Sequence, residues 1–108
     1  MSSTYAQRDI NEPFGKFDYT RGGNPTRYAL EECLKAMEYG NHAITFASGC
    51  GATASIMHTL KTGDHVLCCD DVYGGTNRYL RLFMKNNFGL DVEFVDMSDL
   101  EKLKKSFK

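Results

Sequence analysis

The fold is decided by a strand, a helix and a strand in succession: HVLCC at residues 65–69, GGTNRYLRLFMKN at 74–86 and LDVEFV at 90–95. The first and last runs are short and mostly apolar, as strands are. The middle run begins at two glycines and places Tyr79 and Phe83 at helical spacing. Two strands joined by a helix predict a βαβ unit with parallel strands.

The same alternation continues on both sides of this unit. The run ITF at 44–46 predicts a further strand, and residues 49–60 predict a helix with one apolar face. Downstream, Ser98 with Glu101 three residues later forms a capping box, which predicts a last helix. We therefore expect an α/β fold with three short strands. Such a sheet leaves edges that an α/β domain normally covers, so we expect a part of a larger domain.

The N-terminal residues have a different pattern. Residues 1–24 show little periodicity and predict an extended arm that runs into a loop. A helix is predicted over residues 25–39, because Asn24 is a good N-cap and Pro25 suits the first helical position. The predicted organisation is an arm over 1–24 followed by an α/β domain over 25–108.

Composition excludes several classes of partner. The 108 residues include 13 Lys+Arg and 14 Asp+Glu, with a net charge of −1 and no basic block. Binding to nucleic acid or to an anionic membrane requires a basic footprint, so we expect neither. The sequence also has no apolar run long enough to cross a membrane and no secretory signal at its start. We expect a soluble, cytoplasmic protein.

The cysteines and histidines predict no metal site. Cys33, Cys50, Cys68 and Cys69 lie in otherwise apolar segments, which favours reduced thiols over disulfides. There is no C-x-x-C pair, and each of the three histidines is isolated from the others. Metal sites need ligands at short spacing, so none is expected.

A glycine-containing turn follows the predicted strand at 44–46. The sequence FASGCGAT at 46–53 has small residues where that strand gives way to a helix. Backbone N–H groups at such a turn are available to an anion, and Gly49 and Gly51 permit the close approach of a phosphate. The alternative is a purely structural turn, since tight connections between strands and helices also need small residues. The pattern matches neither the dinucleotide fingerprint nor the P-loop.

A second turn, DDVYGGTNR at 70–78, follows the strand at 65–69. Ligands of open α/β sheets collect at this end of the strands. Tyr73 could stack on a planar cofactor there, and Arg78 could bind a carboxylate. The alternative is that Tyr73 packs under a loop and Arg78 lies on a solvated helix face.

A third segment, YTRGGNPT at 19–26, places Tyr19 and Arg21 on the arm before the first helix. A hydroxyl and a guanidinium together suit a phosphate. Taken alone, the segment is equally consistent with an exposed loop that carries one charge.

Together these three segments resemble the Cys/Met-metabolism family of pyridoxal-phosphate enzymes, over essentially the whole chain. The resemblance implies part of the aminotransferase-like large domain of fold type I, with pyridoxal 5'-phosphate as cofactor. It implies that Tyr19 and Arg21 reach the cofactor phosphate of a neighbouring subunit in a homotetramer, and that Tyr73 stacks on the pyridine ring and assists proton transfer. The remaining implied contacts are with the phosphate, by Ser48, Gly49 and Cys50, and with the substrate, by Arg78.

The resemblance also implies an activity. These segments are most similar to those of family members that cleave cystathionine at its γ-carbon to cysteine, 2-oxobutanoate and ammonia, a step of transsulfuration. Sister members that synthesise cystathionine, cleave it at the β-carbon or cleave methionine share the same segments. A further alternative is a non-catalytic module that pairs with full-length homologues.

Some parts of the family's catalytic apparatus are not in this sequence. The lysine that binds the cofactor covalently lies in an S-x-x-x-K segment beyond residue 108. The aspartate that pairs with the pyridinium nitrogen and the C-terminal domain are also missing. We therefore expect this chain to be inactive alone.

Overall fold

The computed structural model describes residues 3–108, which form two compact units. The first unit ends at Thr45, and the second spans Phe46–Lys108. The predicted division into an arm over 1–24 and a domain over 25–108 stays a prediction.

The N-terminal segment folds back on itself. Strands β1 (Gln7–Asp9) and β2 (Glu12–Pro13) pair antiparallel, and Asn11 in the turn between them adopts a φ of 59°. Asparagine tolerates this left-handed conformation better than most residues. A second pairing joins Thr4 to Tyr19. The expectation of a simple extended arm is therefore wrong, because backbone hydrogen bonds within the segment bend it into a hairpin.

Helix α1 (Pro25–Met37) begins where the sequence predicts. The Asn24 side-chain oxygen accepts hydrogen bonds from the N–H groups of Thr26 at 2.9 Å and Arg27 at 3.1 Å. These bonds satisfy two of the N–H groups that a helix start leaves without partners, which confirms the predicted cap. The helix ends before the predicted Tyr39, whose φ of 52° is left-handed.

The predicted strand at 44–46 is wrong. Thr45 donates from its backbone N–H and from its hydroxyl to the same Glu31 carboxylate oxygen, each at 2.9 Å. These bonds lower the pKa of Glu31 below its usual value, the backbone bond most of all. The N–H that a strand would offer to a neighbour is therefore used by a side chain, and no strand within residues 3–108 pairs with this run.

The second unit contains the predicted βαβ arrangement. Strands β3 (His65–Cys69) and β4 (Asp91–Val95) are parallel neighbours, with His65 opposite Asp91 and Cys69 opposite Val95. In the described part of the chain, these two strands make up the whole parallel sheet. The helical elements of this unit are α2 (Gly49–Met57), α3 (Gly74–Arg78), a π-helical segment (Tyr79–Met84), α4 (Lys85–Phe88) and α5 (Leu100–Ser106).

The core lies between the π-helical segment and the sheet. Leu80, Met84, Leu90 and Val92 are each at most 5% exposed and form one cluster. Burying side chains of this size contributes about 1.5–3 kcal/mol each. The cluster therefore fixes the helical stretch that begins at Gly74 against the sheet.

Helix α5 begins one residue later than the capping box predicts. The cap is Asp99, whose side chain accepts hydrogen bonds from the N–H groups of Glu101 and Lys102, both at 3.1 Å. Ser98 instead donates from its backbone N–H and its hydroxyl to Asp96. The predicted cap at Ser98 is wrong, because an aspartate next to it satisfies the helix start.

Candidate functional site

The first turn of α2 presents backbone N–H groups to solvent. Ser48 is the N-cap in an extended conformation, and its hydroxyl oxygen accepts a hydrogen bond from the Gly51 N–H at 3.0 Å. The N–H groups of Gly49 and Cys50 make no hydrogen bond to any group within residues 3–108. Because the Ser48 oxygen acts as acceptor, its hydroxyl hydrogen also remains available. Three adjacent donors are therefore available at this turn.

The surroundings of this turn favour an anion. A Cβ built on Gly49 would meet no atom within 4 Å, so the space beside it is open. The first turn of α2 carries no acidic residue to oppose the positive end of the helix dipole. Open space, adjacent N–H donors and a favourable dipole are the features of a phosphate site at a helix start. The donor set therefore fits the phosphate of pyridoxal phosphate.

Tyr73 follows β3 and begins α3. It occupies the N-cap position without making a capping hydrogen bond, and the residue is 75% exposed. Ser, Thr, Asp and Asn stabilise this position, whereas an aromatic residue contributes no such bond. Neither burial nor capping accounts for a tyrosine here. The alternative that Tyr73 packs under a loop is therefore wrong.

A cavity of about 320 Å³ joins the two turns. Cys50 and Thr53 of α2 lie on one side, and Thr76 and Tyr79 lie on the other. The first turns of α2 and α3 are therefore neighbours. Arg78 lies outside this lining, is exposed, and makes no hydrogen bond or ion pair within the described residues.

Tyr19 and Arg21 come together in the first unit. The guanidinium carbon of Arg21 lies 5.2 Å from the centre of the Tyr19 ring, which is cation–π distance. The Tyr19 carbonyl accepts hydrogen bonds from the N–H groups of Gly22 at 3.0 Å and Gly23 at 2.9 Å. The segment 19–23 is thus a closed turn that holds the hydroxyl and the guanidinium side by side.

Asn24 anchors this turn, a role that its prediction as a helix cap did not include. Its amide nitrogen donates to the Tyr5 hydroxyl at 2.8 Å and to the Thr20 hydroxyl at 2.7 Å. Its oxygen caps α1 at the same time. One side chain therefore joins the N-terminal hairpin, the turn at 19–23 and the helix start, and only the cap was visible in the sequence.

Residues 3–108 contain neither a metal-binding cluster nor a membrane-spanning helix. No group of three His, Cys, Asp or Glu side chains is placed to hold a metal ion. No helix in this range is both long and apolar enough to cross a membrane.

Known proteins of the same fold make the class clear. The crystal structure of cystathionine gamma-lyase from Lactobacillus plantarum, complexed with L-serine, superposes on the whole chain with a TM-score of 0.86 at 35% identity. The α/β fold and the two adjacent helix starts define part of an aminotransferase-like domain of a pyridoxal-phosphate-dependent enzyme. The chain belongs to the Cys/Met metabolism PLP-dependent enzymes, whose sequence model matches residues 1–108.

Curated relatives carry more than one name. A Herpetosiphon aurantiacus protein named as a probable cystathionine gamma-synthase is 49% identical over the whole chain. Cystathionine gamma-lyase of Homo sapiens is 46% identical over 95% of the chain. The chain spans 33% and 25% of the length of these two relatives, and 28% of the Lactobacillus plantarum structure.

Proposed function

We propose that this chain holds pyridoxal 5'-phosphate at the first turn of α2 and forms part of the active site of a cystathionine gamma-lyase. The observation that carries the proposal is the pair of N–H groups at Gly49 and Cys50, which make no hydrogen bond within the described residues, with open space beside the Gly49 Cα. Ser48 adds a hydroxyl donor beside them. Membership of a PLP-dependent family supports the identity of the ligand.

Tyr73 is the proposed partner of the cofactor ring. Its ring is exposed at the carboxyl end of β3, where it can stack on a planar pyridine. Its hydroxyl is then placed to move a proton near the substrate. When bound, the cofactor supplies an electron sink for the reacting substrate.

Tyr19 and Arg21 are the proposed phosphate contacts of a neighbouring subunit in a homotetramer. Their side chains stack on each other in a turn that backbone hydrogen bonds close. A guanidinium and a phenol held in this way can bind a phosphate without first being ordered, which lowers the entropic cost of binding.

We propose a sulfur amino acid as substrate, with γ-elimination of cystathionine as the reaction. The names of the human and Lactobacillus plantarum relatives support the lyase, and the name of the Herpetosiphon aurantiacus relative supports a synthase as the alternative. A β-lyase or a methionine gamma-lyase uses the same segments and remains an alternative. Arg78 is the proposed contact for the substrate carboxylate, since its guanidinium is exposed and unpaired within residues 3–108.

The chain by itself is proposed to be inactive. In the described structure its lysines lie mainly on exposed positions, and Lys35 pairs with Glu32. A lysine that binds the cofactor covalently needs a lowered pKa and a fixed position, whereas this ion pair raises the pKa of Lys35. We also propose a cytoplasmic location, to which the four free cysteines are suited.

The test of the phosphate site uses two substitutions at Gly49. Gly49→Pro removes one N–H donor, and proline suits the first position of a helix after an extended residue such as Ser48. Gly49→Ala keeps the N–H, and its Cβ meets open space. The probe is pyridoxine 5'-phosphate, which lacks the aldehyde that would react with lysines.

We expect Gly49→Pro to raise the Kd for pyridoxine 5'-phosphate about tenfold or more, because a hydrogen bond to a charged group contributes roughly 1.5–3 kcal/mol. Gly49→Ala should stay within about twofold of the parent chain, since it removes no donor. Equal affinity for Gly49→Pro and the parent chain would contradict the site. Equal weakening by both variants would also contradict it, since the cause would then be crowding.

A further inference from the structure

We propose that Gly75 is a positioning residue for Tyr73: only a residue without a Cβ at this place lets the Tyr73 ring lie across the first turn of α3. A Cβ built on Gly75 would lie 2.6 Å from Cε1 and 3.2 Å from Cδ1 of the Tyr73 ring. Real Cβ atoms essentially never approach a ring so closely. The ring therefore occupies the space that a side chain at 75 would fill.

No hydrogen bond or ring contact in the described structure holds this ring. The Tyr73 side chain makes no hydrogen bond or ring contact with any group in residues 3–108, and the residue is 75% exposed. An exposed aromatic ring without partners normally samples several rotamers. The flat surface at Gly75 is thus the contact that selects the observed orientation.

Gly74 provides a built-in comparison. It precedes Gly75 in the same helical turn, but a Cβ built on it meets no atom within 4 Å. Replacing either glycine by alanine gives a similar gain in helix propensity. The two substitutions therefore differ in one respect, the overlap with the Tyr73 ring.

The consequence for function rests on the proposed stacking of Tyr73 on the cofactor ring. A Cβ at 75 cannot move, because it is fixed to the helix backbone, so the tyrosine must rotate away. Rotation about its χ1 moves the ring to another staggered position, and the hydroxyl moves with it. Gly75→Ala should therefore act as a partial loss of Tyr73, while Gly74→Ala should not.

The first experiment locates the ring without any ligand. The chain is labelled with ¹³C-glycine, and the Hα signals of Gly75 are compared between the parent chain and Tyr73→Ala by NMR. We expect a ring-current shift at Gly75 in the parent chain that is absent in Tyr73→Ala and retained in Gly74→Ala. A Gly75 signal that is indifferent to Tyr73→Ala would overturn the proposal, and this result needs no substitution at Gly75 to fold.

The second experiment measures the Kd of pyridoxine 5'-phosphate. We expect Gly75→Ala and Tyr73→Ala each to weaken binding roughly three- to tenfold, the range for loss of an aromatic stacking contact, with Gly74→Ala unchanged. The double variant Tyr73→Ala with Gly75→Ala should bind no more weakly than Tyr73→Ala alone. Equal weakening by Gly74→Ala and Gly75→Ala, or additive weakening in the double variant, would overturn the positioning role.

The two experiments separate this proposal from the proposed function. If the parent chain does not bind pyridoxine 5'-phosphate, the proposed cofactor site is wrong. The Hα signals of Gly75 still show where the Tyr73 ring lies. If the ligand binds but the Gly75 signal shows no ring above it, the positioning role alone fails.

Discussion

Asn24→Ala should destabilise the first unit more than the loss of an ordinary helix cap. The side chain makes four hydrogen bonds: its oxygen accepts two from N–H groups at the start of α1, and its amide nitrogen donates two to the Tyr5 and Thr20 hydroxyls. Loss of a cap costs about 1 kcal/mol. The two hydrogen bonds between side chains, part-buried in this structure, add roughly 0.5–1.5 kcal/mol each. The expected loss is therefore about 2–4 kcal/mol.

Asn24→Asp is the matched control. Its carboxylate keeps the oxygen that accepts from Thr26 and Arg27. Its second oxygen can only accept, so the Tyr5 and Thr20 hydroxyls would have to turn and donate to it instead of accepting. It should lose at most the part of the stability that comes from the two amide donors. The expected order of stability is therefore parent chain, then Asp, then Ala.

Urea unfolding followed by the helical circular dichroism signal measures the difference. A loss of about 2 kcal/mol lowers the urea midpoint by roughly 1 M when the denaturant slope is near 2 kcal/mol/M. An Asn24→Ala variant that unfolds at the same midpoint as the parent chain would refute this expectation. So would an Asn24→Asp variant that is as damaging as Asn24→Ala, because the cap that aspartate retains would then contribute nothing to stability.

Four further outcomes are expected. The pKa of Asp99 is lowered, chiefly by the hydrogen bond from the Lys102 N–H, so its stabilisation of α5 is present above the ordinary carboxyl pKa of about 4 and lost as pH falls through the lowered value. Asp99→Asn should make the acid loss of helicity, followed by circular dichroism, shallower. The purified chain should self-associate or bind a hydrophobic dye, since Ile10, Met37 and Phe107 are each more than 60% exposed, and a sharp melt of a clean monomer would contradict this. In a complete oligomer, Arg21→Ala should weaken pyridoxal-phosphate binding about tenfold or more in a fluorescence titration. The chain alone with added pyridoxal phosphate should release no 2-oxobutanoate from cystathionine, and one stoichiometrically labelled lysine after borohydride reduction, together with turnover, would disprove this.

The sequence predicted those elements of the fold that depend only on residues close together in the chain. The strands at 65–69 and 91–95 and the Asn24 cap follow from apolar runs and a capping residue, and the structure confirms them. The strand at 44–46 failed because Glu31, thirteen or more residues away, takes the Thr45 N–H. A contact over that sequence separation cannot be inferred from the composition of a short apolar run.

The core face of this helix was harder to predict because more than one of its faces is apolar. Tyr79 and Phe83 are four residues apart, and so are Leu80 and Met84, so both pairs fit helical spacing. Leu80 and Met84 are the buried pair, whereas Phe83 is 44% exposed. Spacing alone does not decide which of two apolar faces meets the sheet.

The candidate site was predictable where the backbone alone defines it. The run Ser-Gly-Cys-Gly predicts N–H groups at a helix start, and the α2 turn at Ser48–Cys50 has that geometry although no strand precedes it. The relation between Gly75 and Tyr73 was not predictable, because it depends on which way one exposed ring turns. Spacing in a sequence does not contain that information.

The most direct test of the phosphate site compares two ligands on the unmodified chain. Pyridoxine 5'-phosphate and pyridoxine have the same ring and differ in the phosphate, so the ratio of their Kd values isolates what the α2 turn binds. Because N–H donors are available at Gly49 and Cys50, we expect pyridoxine 5'-phosphate to bind at least about tenfold more tightly than pyridoxine. Equal Kd values for the two ligands would contradict it.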